Sequence, residues 1–261
     1  MKKEELDEIL NKVQAFKKMF HLEKNAIIGD ISRILDEEFI ILKFPNKMNI
    51  SGTTFNKEDA NVTYKCIYIN NNDPIGRQNF TLAHELYHIY FEDADIGLCL
   101  KELVDDNEIE KRAEIFASNL LIPKSQLILD LKRMGMNNNK EINMNKIFQL
   151  QQKYYVSFQA IIYAIEQSYN YDYLSDFFKF IPKIPDYFKK YYNSQWDELE
   201  KISLSFDNKF NLNSSNPKYI MPENFKNDII SNYKKGLVDY SEVEDIFNFF
   251  EIFCIDELLN G

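Results

Sequence analysis

The stretch Thr81-Leu82-Ala83-His84-Glu85-Leu86-Tyr87-His88 holds two of the chain's three histidines, with a glutamate directly after the first. On a helix, His84 and His88 stand one turn apart and project from the same face. Two imidazoles at that spacing can grip one zinc ion. Glu85 lies about 100° round the helix from His84 and about 60° from His88, so it shares their side. A carboxylate there suits a general base that takes a proton from the attacking water and passes it to the leaving amine. The bland alternative is a pair of core or surface histidines beside an ordinary charge, with no metal.

A catalytic zinc takes three protein ligands and keeps one position open, so two histidines are not enough. His21 is remote, in a junction between two expected helices. The run Glu110-Lys111-Arg112-Ala113-Glu114-Ile115-Phe116-Ala117-Ser118-Asn119-Leu120-Leu121 offers a carboxylate instead. At helical pitch Ala113, Ala117, Leu120 and Leu121 form an apolar stripe, and Glu110 continues it. A carboxylate on such a face is unfavourable unless something positive compensates it, and a divalent cation would do so. Small Ala113 and Ala117 would let this helix approach the motif helix closely. Glu114 lies nearer the edge of the stripe and ranks second. A set of two histidines and one carboxylate accepts manganese as well as zinc. Tyr68, Tyr87, Arg77 and Tyr90 are candidates for stabilising an oxyanion. Tyr87 and Tyr90 also read as packing residues and Arg77 as a surface charge, and the sequence does not choose.

The elements that must position these groups follow from pattern. Residues 3–20 predict an amphipathic helix, with Leu6, Ile9, Leu10, Val13, Phe16 and Phe20 on one stripe. Residues 24–37 predict a second helix. Residues 39–44 and 62–69 read as strands rich in β-branched and aromatic residues. Residues 48–56 are the candidate partner of the second strand, through the Ser51-Gly52 turn signal. An exposed edge on that strand could hold an extended peptide by main-chain hydrogen bonds. Asp73 as cap and Pro74 in the first turn start the motif helix, which runs to about residue 91. An acidic connector (93–106) leads to a helix over 107–121 that stops before Pro123. A shorter helix ends at Gly135. Residues 136–142 are polar and mark the best internal boundary. Helices over 144–154 and 157–169 follow, with Ser157 as a cap. The aromatic run 171–192 is broken by Pro182 and Pro185. A loop at 211–217 precedes helices over 222–235 and 241–259, and Ser241 with Glu244 forms a capping box.

Composition narrows the class. A chain of 261 residues with 45% hydrophobic and 15% aromatic residues can build a substantial core. The net charge of −10 repels nucleic acid and anionic membranes at long range, so direct nucleic-acid binding is not expected. No stretch approaches a membrane span, and the first residues lack the apolar segment of a signal peptide. Cys66, Cys99 and Cys254 are odd in number and widely spaced, as buried thiols in a reducing cytoplasm would be.

The two motifs together, Gln78-Asn79-Phe80-Thr81-Leu82-Ala83-His84-Glu85-Leu86-Tyr87-His88 and Glu110-x-x-Ala113-x-x-Phe116-Ala117-x-x-Leu120-Leu121-x-Pro123, resemble the ImmA/IrrE family of bacterial and phage metallopeptidases. The resemblance covers roughly residues 25–125, and more loosely the helices to 170. It implies that His84, His88 and Glu110 are zinc ligands and that Glu85 is the catalytic glutamate. Tyr87 stands where the family usually has a small residue, and Glu114 where an Asn is common.

The expected fold is α+β: a zincin-like domain with a small antiparallel or mixed sheet and a motif-bearing helix, then a mostly helical C-terminal region. The expected division is 1–135 for the metallopeptidase-like domain, 136–170 for a helical, helix-turn-helix-like extension, and 171–261 for an aromatic-rich part of unassigned role. The resemblance further implies a cytoplasmic, zinc-dependent endopeptidase of narrow specificity. Its protein substrate would be a helix-turn-helix repressor encoded nearby, in a mobile element or a stress response. A module that binds such a partner without cutting it is the alternative, and an intact Glu85 argues against it.

Overall fold

The computed structural model describes residues 3–35, 39–47, 50–59, 62–92, 96–97, 108–135, 142–169, 188, 196–206 and 211–260. The first helix, α1 (Lys3–Met19), buries Ile9, Val13 and Phe16 along the stripe its sequence predicts. Residues 24–37 do not form the expected second helix. The described part holds only a 3-10 turn, Ile31–Ile34, capped by the Asp30 side chain. Long-range partners satisfy this segment's backbone. Lys17 Nζ donates to the carbonyls of Lys24 and Ala26, and Asn79 donates from Nδ2 to the Gly29 carbonyl and accepts at Oδ1 from the Ile31 N–H.

Three strands follow: β1 (Phe39–Phe44), β2 (Gly52–Asp59) and β3 (Val62–Asn70). Next come α2 (Ile75–Phe91) and the two-residue strand β4 (Ile96–Gly97). The sheet order is β1-β3-β2-β4, with β1 parallel to β3 and β2 antiparallel to it. The sheet is therefore mixed, and β3 is interior, so it offers no free edge to a peptide. The β2–β3 register runs from Gly52↔Ile69 to Asp59↔Val62. The hairpin thus closes beyond Asp59, and Ser51-Gly52 lies at the opposite end from the turn.

The remaining helices are α3 (Glu108–Leu121), α4 (Lys124–Arg133), α5 (Met144–Tyr154), α6 (Phe158–Tyr169) and α7 (Trp196–Leu204), then α8 (Glu223–Lys234), α9 (Tyr240–Phe249) and α10 (Ile255–Asn260). The expected helix over 241–259 is two helices, because Glu251 adopts a left-handed φ of 58° between them. The capping box at its start is Asp239 with Glu242, not Ser241 with Glu244. Ser157 does cap α6, its Oγ accepting from the Ala160 N–H. The expected 93–106 connector, apart from β4, and the 171–192 run, apart from buried Phe188, lie outside the described residues, as does Cys99.

Alternation along β3 decides what each sheet face meets. Ile67 and Ile69 are fully buried in the core that holds Leu82, Ala83 and Leu86 of α2. Tyr68 points the other way and packs against Phe44, 4.2 Å between centroids with the rings tilted by 33°. Phe249 of α9 meets Phe44 edge-on at 5.1 Å, so the far end of the chain reaches this outer face. One apolar core gathers residues of α1 through α7, including Ile161 and Leu199. A second, smaller one joins Ile229, Val243, Phe247 and Ile255 of α8 to α10. No helix among the described residues is long and apolar enough to cross a membrane.

Candidate metal centre

The motif helix is fixed at its start and along its flank. Pro74, not Asp73, is its N-cap residue, and the cap makes no side-chain hydrogen bond. Asp73 accepts instead from Ser51 Oγ at 2.6 Å. The first amides of α2 find acceptors far down the chain: Ile75 N donates to the Ser214 carbonyl and Gly76 N to the Leu212 carbonyl. Gly76 lies against the turn between α5 and α6, where an added Cβ would come within 2.5 Å of the Val156 carbonyl carbon. One turn on, Asn79 is buried, and its amide also donates to the Tyr155 carbonyl. Three backbone segments, 29–31, 155–157 and 212–214, therefore set the axis of α2 before the histidines are reached.

On the inner face of that axis, His84, His88 and Glu110 converge. His84 Nε2 and His88 Nε2 are 3.1 Å apart, His84 Nε2 and Glu110 Oε2 are 3.0 Å apart, and His88 Nε2 and Glu110 Oε1 are 3.6 Å apart. The two histidine–glutamate distances end on different oxygens of Glu110, and one donor atom from each residue lies within 4.8 Å of the other two. Ligand atoms around a tetrahedral zinc with bonds near 2.0–2.1 Å stand about 3.3 Å apart, so a group this close can share one ion. The donor chemistry, two imidazole nitrogens and one carboxylate oxygen, fits it equally. These three form one potential metal-holding group among the described residues. Glu110 reaches the site because Ala113 and Ala117 are fully buried on α3. Glu8 on α1 clasps Arg112 through both nitrogens, at 2.8 and 3.2 Å, close to Glu110 on α3.

Electrostatics favour a cation here. Burial works against charge on His84, but the hydrogen bond it donates to Glu110 and the charges of Glu85, Glu110 and Glu114 outweigh it, and the pKa rises above the ordinary histidine value. The same negative field attracts a divalent ion. Glu85 is fully buried one residue along from His84. Gly52, at the start of β2, faces it, and a Cβ there would stand 3.1 Å from Glu85 Oε1. Strand and helix thus meet closely at a position where a side chain would intrude.

The other sequence candidates lie elsewhere. Exposed His21 sits in the turn after α1, with φ of 53°. Tyr68 is on the outer sheet face, donating to the Phe44 carbonyl, and burial pushes its pKa up to about 12. Tyr87 is buried under Lys12, whose Nζ donates to its hydroxyl. Tyr90 packs edge-on against Phe16, and Arg77 stands 3.5 Å from Asp73. Glu114 is exposed on α3, near enough for its charge to act on His84 but outside the group of three. Two residues were not singled out from sequence. Glu92 contacts His88 Nδ1 at 2.6 Å, and Gly52 makes room for Glu85. The spacing of four from His88 to Glu92 was the available signal for the first. The second had none, since register is a long-range property.

A helix presenting two histidines and a glutamate, joined by a carboxylate from the next helix beside a small mixed sheet, defines a zincin-like metallopeptidase domain. Residues 37–166 match the family model described as Peptidase_M78, IrrE N-terminal-like domain, and the chain belongs to this ImmA/IrrE family of metallopeptidases. The match spans the three long strands, both histidines and Glu110. Comparison with curated proteins returned no match.

Proposed function

We propose that this chain is a zinc-dependent endopeptidase of narrow specificity, whose substrate is a helix-turn-helix transcriptional repressor encoded near its own gene. The observation that carries the hydrolytic part is the burial of Glu85 beside the triangle of His84, His88 and Glu110. The repressor as target rests on the family resemblance.

His84 Nε2, His88 Nε2 and Glu110 would hold the ion. When bound, zinc supplies Lewis acidity and makes water a stronger acid near neutral pH. Glu85 takes the proton of the attacking water on a carboxylate oxygen, and the same oxygen returns it to the leaving amide nitrogen. The Gly52 backbone excludes bulk from the side where Glu85 works. Action on a repressor fits a cytoplasmic location.

The test incubates purified, zinc-analysed protein with the repressor encoded nearest its gene. Wild type is expected to cut it. Glu85→Gln is expected to retain zinc and leave the repressor intact. Equal cleavage by both proteins would remove Glu85 from the mechanism. Tight binding by wild type without cleavage would favour a partner-sequestering module instead.

A further inference from the structure

We infer that Glu92 is a positioning residue for the metal centre, acting through His88; this rests on His84, His88 and Glu110 being the metal donors. Glu92 is the first residue past α2, with extended φ and ψ of −130° and 141°. The chain leaves the helix there, yet the side chain turns back one turn. Its Oε2 stands 2.6 Å from His88 Nδ1. A neutral imidazole has one N–H and one lone-pair nitrogen. With Nδ1 donating to the carboxylate, Nε2 carries the lone pair, and Nε2 is the atom that faces His84 and Glu110. Glu92 thereby selects the tautomer and fixes the rotation of the ring whose other nitrogen meets the ion.

Two further observations point the same way. The other oxygen, Glu92 Oε1, is buried with no hydrogen-bond partner among the described residues. A buried carboxylate oxygen without a hydrogen-bond partner is costly, and a positive charge held beyond the imidazole offsets that cost. An acidic side chain at a helix C-terminus also opposes the helix dipole. Local helix preference therefore does not account for a glutamate at this position, whereas a His88 partner does.

The test measures zinc affinity of the full chain by competition with a chromophoric chelator, for wild type, Glu92→Gln and Glu92→Ala. Loss of the carboxylate in Glu92→Ala is expected to weaken binding by about 10–100-fold. Glu92→Gln keeps shape and an acceptor oxygen but no charge, and is expected to fall between the two. Unchanged melting of metal-free Glu92→Gln separates positioning from a folding defect. The spectroscopic signature is the His88 Nδ1 proton of the zinc-loaded protein, shielded from exchange in wild type and Glu92→Gln and exchanging rapidly in Glu92→Ala. Wild-type affinity in both variants, or an equally protected proton in Glu92→Ala, overturns the inference while leaving the metal site standing. Failure of wild type to take up stoichiometric zinc overturns the donor reading, and this inference with it.

Discussion

Gly52 on β2 stands against Glu85 on α2 so closely that any side chain at residue 52 would press on the proposed general base. A Cβ there would lie 3.1 Å from Glu85 Oε1 and 2.5 Å from Thr81 Cγ2. Gly52→Ala is expected to destabilise the protein by about 1–3 kcal/mol, the usual range for overpacking a tight core. Adding Thr81→Ser removes the methyl group with the worse clash and is expected to restore part of the loss. Urea unfolding of the single and double variants checks this, and an undiminished stability of Gly52→Ala would show that strand and helix can part.

Metal and stability are linked. A ligand that binds only the folded state at a hundred times its Kd adds about 2.7 kcal/mol. Thermal melting with added zinc is therefore expected to rise for wild type and Glu85→Gln, and to fall back with a chelator. His84→Ala and Glu110→Ala are expected to lose most of that rise, because each removes one vertex of the triangle. A full rise in Glu110→Ala would remove that residue from the donor set.

Gly76 supplies a test with an inverted sign. In an ordinary helix, replacing Gly by Ala stabilises by about 0.8–1 kcal/mol. Here a Cβ would meet the Val156 carbonyl carbon and oxygen and the Ser157 amide at 2.5–2.6 Å, all backbone atoms that no rotamer can move. Gly76→Ala is expected to destabilise instead, by more than Gly52→Ala. Equilibrium denaturation reads the sign directly.

Lys17 gives the pH dependence. Its buried ammonium donates to two carbonyls, and burial lowers its pKa from 10.5 to about 8. Between those values the unfolded chain holds a proton that the folded chain has released, so raising the pH through this window increases stability. Below about pH 8 both states are protonated, and the burial penalty is constant. The stability of wild type relative to Lys17→Met is therefore expected to climb from pH 8 towards pH 10. Paired urea titrations at each pH measure it, and a flat difference would mean that the Lys17 amine keeps its ordinary affinity for protons.

Periodicity disclosed most of this architecture. The α1 stripe, the strands at β1 and β3, and the helices carrying His84 and Glu110 all fall where their patterns place them, because each buries one face against one core. Chemistry at fixed helical spacing, His84 to His88, was equally plain. What escaped was non-local. The 24–37 segment has apolar residues enough for a helix, but its backbone is satisfied by Lys17 and Asn79. Caps were misassigned where polar residues crowd. Asp239 and Ser241 each have a glutamate three residues on, and only the first pair closes. Asp73 yielded its place to backbone carbonyls of residues 212 and 214, which no local pattern announces. Sheet order, and with it the meeting of Gly52 and Glu85, depends on pairing across the chain.

The carbonyls of Leu212 and Ser214 that receive the first amides of α2 emerge from the ribosome long after the histidines do. Contacts so distant in sequence form late, because a large loop must close before they contribute. During synthesis the histidine-bearing helix would wait with its leading turn open to water until the downstream segment arrives. A chain cut after the family-matched part would carry every proposed ligand and still lack these two acceptors. Settling of the helix that presents His84 and His88 is thereby tied to the arrival of residues 212–214.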